Sequence, residues 1–229
     1  MSSDNCFLVL RLEGPLQSWG FDSRYNRRNT GLMPTKSAIA GMCCASLGYS
    51  RGSVKEENFL VKFLRLRMTS IAIPRKIARI SNGGINETEL KVGRLQDYHT
   101  VMNTRKADGG IKDCHITHRQ YVTDAGYGVL LEGETNFLKN IANGLADPVW
   151  GIWLGRKTCI PTSPVLCGLE KTKVDALRAL GIENVELFTR QEDVDSFAEG
   201  IDSLLDSPMS FSSEKRLFAP RRVKTVYAK

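Results

Sequence analysis

Residues 6–20 read CFLVLRLEGPLQSWG. The run Cys6-Phe7-Leu8-Val9-Leu10 has the composition of a buried strand, and residues 6–12 read as the first strand of the fold. The segment after Gly14-Pro15 is no plain turn. Residues 13–34 are rich in glycine, asparagine and arginine, and so long a loop inside a compact domain is usually functional. It carries Trp19 among small and polar neighbours, then Arg24, Arg27 and Arg28. PTKSAIAGMCCASLG comes next, at 34–48. Thr35 or Ser37 can cap a helix there, and Gly48 can end it. Ile39, Met42, Cys43 and Leu47 have helical spacing and should face a core.

Further along, KEENFLVKFL (55–64) predicts a short amphipathic helix. RLRMTSIAIPRKIARI (65–80) reads as a long strand interrupted at Pro74. Residues 81–98, with Asn82-Gly83-Gly84, are polar and read as projecting outward; NTRKADGGIKD (103–113) is a basic tip. A return strand is expected over 116–131, a helix over 134–145 and a strand, PVWGIWLG, over 148–155. Leaving the extra helix aside, the order approximates βαββαβ. That is a ferredoxin-like, or RNA-recognition, topology of the α+β class, whose sheet often serves as an RNA platform. Beyond 156 the chain is mixed, with helices expected at 171–180 and, acidic, at 191–205.

The 229 residues suit one large domain or two small ones, with no need of covalent staples. No apolar run approaches the ~20 residues of a membrane span. The start, MSSDN, has no signal-peptide pattern; the expected location is cytoplasmic, with no membrane partner. None of the six cysteines forms a CxxC pair, so thiols are expected. CHITH (114–118) groups Cys114, His115 and His118, but a zinc site wants a fourth such ligand, and a polar strand is the better reading. The net charge of +7 is segregated. Residues 62–119 hold 12 Lys/Arg against 5 Asp/Glu, 182–206 hold 1 against 8, and 207–229 hold 6 against 1. Such segregation is the footprint of a polyanion partner.

Several blocks carry a family pattern. FLVLRLEGPLQSWG, RRNTGLMPTKSAIAGMCCASLG, LQDYHTV, RQYVTDAGY, PVWGIWLGRKTCIPTSPVLCG and a closing PM…RLFAPRRV succeed one another over nearly the whole chain. In this order they resemble the CasD family, the fifth Cas subunit of the type I-E CRISPR Cascade complex. The resemblance implies a single RAMP-type domain: a ferredoxin-like palm (about 1–78 and 119–229), a protruding β-hairpin thumb (about 79–118) and a mixed C-terminal extension. It implies a non-catalytic subunit that caps the 5′ handle of the CRISPR RNA. Such a subunit contacts the backbone subunit and the large subunit, and meets target DNA through the assembled complex.

Physical readings of the residues stand beside that resemblance. Trp19 either stacks on a base, worth ~1–3 kcal/mol, or packs under its loop. Arg24, Arg27 and Arg28 have the guanidinium forks that suit phosphate oxygens. At PTKS the free N–H groups of a helix start favour an anion, with Lys36 adding charge and Thr35 and Ser37 adding hydroxyls. Strand alternation over 148–155 puts Trp150, Ile152 and Leu154 on one face and Val149 and Trp153 on the other. One tryptophan is then core, and the other faces RNA or a neighbouring subunit. Gly155-Arg156-Lys157 resembles the family's basic glycine turn, glycine permitting close approach to a ligand. Arg94, His99, Arg105, Lys106, Lys112 and Arg119 complete the RNA-binding candidates. The acidic 182–206 segment should face away from RNA. No catalytic residue, metal or cofactor is expected.

The rival class is a metal-independent endoribonuclease acting on CRISPR precursor RNA. It needs one group to activate a 2′-hydroxyl and another to protonate the leaving oxygen. Tyr98, His99, Lys112, His115 and His118 are the clustered candidates.

Overall fold

The computed structural model describes residues 4–20, 22–81, 84–106, 108–196, 198–199 and 202–229. Strand β1 (Asn5–Glu13) sends Leu8, Leu10 and Leu12 into one core and Val9 into another, as alternation dictates. The loop behind it is braced by three two-residue strands, β2 (Leu16–Gln17), β3 (Ser23–Arg24) and β4 (Arg27–Arg28). Helix α1 (Lys36–Ser46) starts at the expected cap, Thr35, and the chain leaves it through Gly48 at φ +68°. Helix α2 (Val54–Phe63) is capped by Ser53, while Glu56 reaches back to the Gly52 N–H at 2.8 Å.

Strand β5 (Arg67–Pro74) ends at its proline, and β6 (Lys76–Ser81) and β7 (Gly84–Glu89) form a hairpin. The expected turn residues Asn82 and Gly83 lie outside the described residues. Strands β8 (Gly93–Arg105) and β9 (Ile111–Thr123) form a second, longer hairpin, mostly exposed along β8. The chain re-enters the core through Asp124, at φ +54°, into β10 (Ala125–Glu134). An Arg75–Asp124 ion pair of 3.1 Å ties together the two points where it departs and returns. Helix α3 (Thr135–Ala146), β11 (Leu166–Glu170) and α4 (Lys173–Ala179) come next, then β12 (Arg190–Asp193), β13 (Asp202–Ser210) and β14 (Leu217–Val226).

The main sheet runs β11-β1-β10-β5-β12-β14-β13, every neighbour antiparallel. One face is covered by α1, α2 and α3 through residues such as Ile39, Phe63 and Leu138; α4 covers the other through Leu180, against Val9, Ile71 and Leu130. The fold is thus mixed α and β, with four α-helices among the described residues and one large antiparallel sheet. A second sheet, β2-β9-β4-β3 with β8 on the other edge of β9, is built from the loop and the long hairpin.

Two expected elements are absent. PVWGIWLG is irregular: the N–H groups of Val149 and Trp150 bond to Ser46 O (2.9 Å) and Ala45 O (3.2 Å). They serve the orphan carbonyls that every helix leaves at its C-terminus. The fourth strand flanking β1 is β11 instead. The described residues of the acidic stretch 191–205 form no helix either. Its ends are β12 and β13, because the open edge of β5 offers Arg190–Glu192 a ladder.

Candidate nucleic-acid interface

Trp19 sits at the root of the loop and is fully buried, at 0% exposure. Its indole N–H donates to Gln17 Oε1 (3.1 Å), its backbone N–H donates to Thr30 Oγ1 (2.7 Å), and its ring meets Tyr127 edge-on at 6.2 Å. Of the two readings of Trp19, packing holds; the ring offers no face to a base. Gly155 is also spoken for by the fold. At φ +97°, a Cβ there would stand 1.8 Å from Ser18 O, so the close approach it permits is to its own chain.

The anion at the start of α1 is internal. The Lys36 N–H donates to Asp206 Oδ2 at 2.9 Å, and Arg221 donates through Nε and Nη2 to the same carboxylate at 2.8 and 2.7 Å. Lys36 Nζ reaches Asp193 Oδ2 at 3.1 Å and Leu66 O at 2.6 Å; Arg221 Nη1 also bonds Asp193. Two cations and two carboxylates thus close a buried set. Lys36 is 3% exposed, and burial pushes its ammonium down from the ordinary value, with Asp193 opposing. Burial alone would lower Arg221 as well, but Asp206 and Asp193 hold it above the ordinary guanidinium value. Lys36 therefore has no charge free for RNA. Thr35 is buried as the cap, and Ser37, half-buried, points its hydroxyl at Thr35 Oγ1 (3.3 Å).

The second sheet gathers the rest. Parallel pairing of β4 with β9 sets Arg27 beside His118 and Arg28 beside Arg119. Successive side chains point to opposite faces, so the two arginines divide. One face carries Arg27, His118 and Tyr98, whose ring meets His118 edge-on at 5.4 Å. The other carries Arg28, Arg119 and Tyr121, with Arg156 lying 4.6 Å over the Tyr121 ring and donating from Nη2 to Arg28 O at 2.8 Å. Stacking on the ring fixes the guanidinium plane. Tyr121, not among the sequence-based candidates, is buried in the core, so its ring supports Arg156 and offers no face to a base.

Arg94 lies near the hairpin root; Arg105, Lys106 and Lys112 surround its tip, with Lys112 Nζ 3.3 Å from His115 Nδ1. Lys157 is exposed beside Arg156. Among the described residues Arg27, Arg28, Arg94, Arg105, Lys106, Lys112 and Arg119 make no ion pair with a carboxylate. His99 lies on the Arg28 face, 3.9 Å from Asp97. Trp150, 46% exposed, stands at the C-terminal end of α1, away from this sheet. The Arg24 side chain lies outside the described residues. Within CHITH, alternation along β9 parts His115 from Cys114 and His118, and no group of three potential metal ligands converges among the described residues.

Fold and site together define an α+β sheet protein carrying a cationic hairpin sheet beside its core. The family model described as CRISPR-associated protein (Cas_Cas5) matches residues 7–224. The chain belongs to that family of CRISPR-associated proteins. It is 29% identical over 167 residues to the CRISPR system Cascade subunit CasD of Escherichia coli (strain K12), covering 71% of this chain and 70% of that one. A chain of a CRISPR RNA-guided surveillance complex superposes with a TM-score of 0.71 at 24% identity, over 96% of this chain and 89% of that one. A solved Cas protein gives 0.62 at 25% identity, over 97% and 95%.

Proposed function

We propose that this chain is a non-catalytic CRISPR RNA-binding subunit of a type I-E Cascade complex. In that role it caps the 5′ handle of the guide RNA and helps assemble the complex for DNA surveillance. Membership of the family and the likeness to CasD over most of its length support the subunit role. The observation that carries RNA binding is the set of arginines on the sheet built from β4 and β9 that make no ion pair with a carboxylate among the described residues. The strand order β11-β1-β10-β5, with crossover helices on one face, supports reading the core as a ferredoxin-like palm. The β8–β9 hairpin, within the proposed 79–118 boundaries for most of its length, is then the thumb. The backbone and large subunits are its proposed protein partners, and the cytoplasm its place.

One observation favours the ribonuclease reading: Tyr98 and His118, two groups able to move protons, touch on one face of the hairpin. Labelled CRISPR-repeat RNA incubated with the purified chain in EDTA separates the two. Binding without cutting on a denaturing gel is expected. Specific cleavage that disappears with Tyr98→Phe or His118→Ala overturns the structural reading.

A further inference from the structure

Tyr98 presents an open aromatic ring on the hairpin sheet. It lies within the ladder of β8 and is 61% exposed, whereas Trp19, Tyr121 and Tyr127 are buried. Ladder pairing sets Tyr98 opposite His118 on β9 and His118 beside Arg27 on β4. The His118 N–H donates to Asn26 O at 2.8 Å, which ties β9 to the start of β4. Tyr98, His118 and Arg27 therefore form one row across three joined strands, each strand ~4.8 Å from the next. The imidazole meets the phenol ring edge-on, with centroids 5.4 Å apart and planes at 74°. A neighbour in that geometry orients the ring and covers at most one side of it. Tyr25, also exposed, sits in the β3–β4 turn at φ +49°, outside the ladder.

The charges on this face have one sign. Alternation puts Arg94 on β8 and Lys112 on β9 on the same face as Tyr98 and His118, and sends Asp97 and Asp113 to the other. The row behind, Asp97–Arg119–Arg28, thus carries its own carboxylate, and the Tyr98–His118–Arg27 row carries none. An open ring among cations suits a single strand, whose bases can stack on the ring while its phosphates meet the cations. In a duplex the bases already stack on one another and leave such a ring unused. We infer that Tyr98 is the stacking platform for an unpaired base of the guide RNA, with Arg27 taking an adjoining phosphate. This inference rests on the RNA-binding reading and deepens it. The aromatic ring of Tyr98 acts, not its hydroxyl, and the site selects single-stranded over paired RNA.

The test uses the full chain, labelled single-stranded 5′-handle RNA and a salt series followed by fluorescence anisotropy. Tyr98→Ala should weaken binding ~5- to 150-fold. The slope of log affinity against log salt should stay that of the wild type, because a lost stack holds back no counterion. Arg27→Gln should instead flatten that slope by ~0.7. Tyr98→Phe and Tyr98→Trp keep a ring and should bind as the wild type does. The same RNA annealed to its complement should not distinguish Tyr98→Ala from the wild type. Because Tyr98 is exposed, its replacement should leave the melting temperature nearly unchanged. Wild-type affinity in Tyr98→Ala would overturn the assignment while leaving RNA binding intact. A loss in Tyr98→Phe equal to that in Tyr98→Ala would overturn it too, by assigning the effect to the hydroxyl. A wild-type chain that binds no RNA would remove the functional reading itself, and this inference with it.

Discussion

Replacing Asp206 with asparagine keeps its size and removes its charge. An amide oxygen in the place of Oδ2 still accepts from the Lys36 N–H and Arg221 Nη2, but the amide NH2 then faces Arg221 Nε, and Asp193 is the one carboxylate left to the buried guanidinium. Breaking a buried pair from one side typically costs ~3–5 kcal/mol. Asp206→Asn should therefore lower the urea midpoint by an equivalent amount without changing the m-value. Lys36→Met should also destabilise the chain and leave the salt slope of RNA binding unmoved; a flattened slope would return Lys36 to the RNA site. Lys36, Trp19 and Gly155 have the residue types of a ligand site, in stretches that read as exposed loop. Decisive partners lie far away along the chain, Asp206 being 170 positions from Lys36 and Ser18 facing Gly155. Local pattern carries no information about such pairs, so sequence alone misplaces Lys36 and Gly155 and leaves the two readings of Trp19 open. Arg27, Arg28 and Arg119 are legible as a cationic group, since their charge needs no partner in order to be read.

The β8–β9 hairpin can be shortened without touching its root. Thr100 and Ile116 stand opposite each other in the ladder, so an Asn-Gly turn in place of residues 101–115 keeps the register of what remains. The removed part carries exposed Val101, Met102 and Ile111 and contributes little buried surface. The melting temperature should shift by no more than a few degrees, while the loss of Arg105, Lys106 and Lys112 flattens the RNA salt slope by up to ~2. Loss of the far-ultraviolet circular dichroism signal would show that the hairpin is part of the core. Elements with local punctuation are readable: the cap Thr35 and the break at Pro74 mark real ends. PVWGIWLG misleads because its alternation is that of a strand, yet Gly151 and Gly155 interrupt it and the end of α1 claims its N–H groups. The acidic 191–205 stretch misleads because its residues are strand partners and counter-ions to distant segments.

Across the whole molecule, the late strands β12–β14 extend the sheet that the early strands begin. Strand β12 lies between β5 and β14, Asp193 Oδ2 accepts the Met68 N–H at 3.0 Å, and Phe211 is buried with residues of the first half. Unfolding followed by far-ultraviolet circular dichroism and by tryptophan fluorescence should give one coincident transition. Two separated transitions would mean that β12–β14 folds as its own unit. The buried set of Lys36, Asp193, Asp206 and Arg221 also imposes an order in time. As the chain grows from the ribosome at ~5–20 residues per second, roughly 10–40 s separate the emergence of Lys36 from that of Arg221. For most of that interval, until Asp193 emerges, the ammonium group has neither carboxylate to neutralise it, and until Asp206 follows the first turn of α1 lacks its anion. A chain terminated before Asp206 cannot complete its own first helix start, even though the arginine loop in front of that helix already has its ladder on β9. Such a fragment should therefore melt below the 229-residue chain.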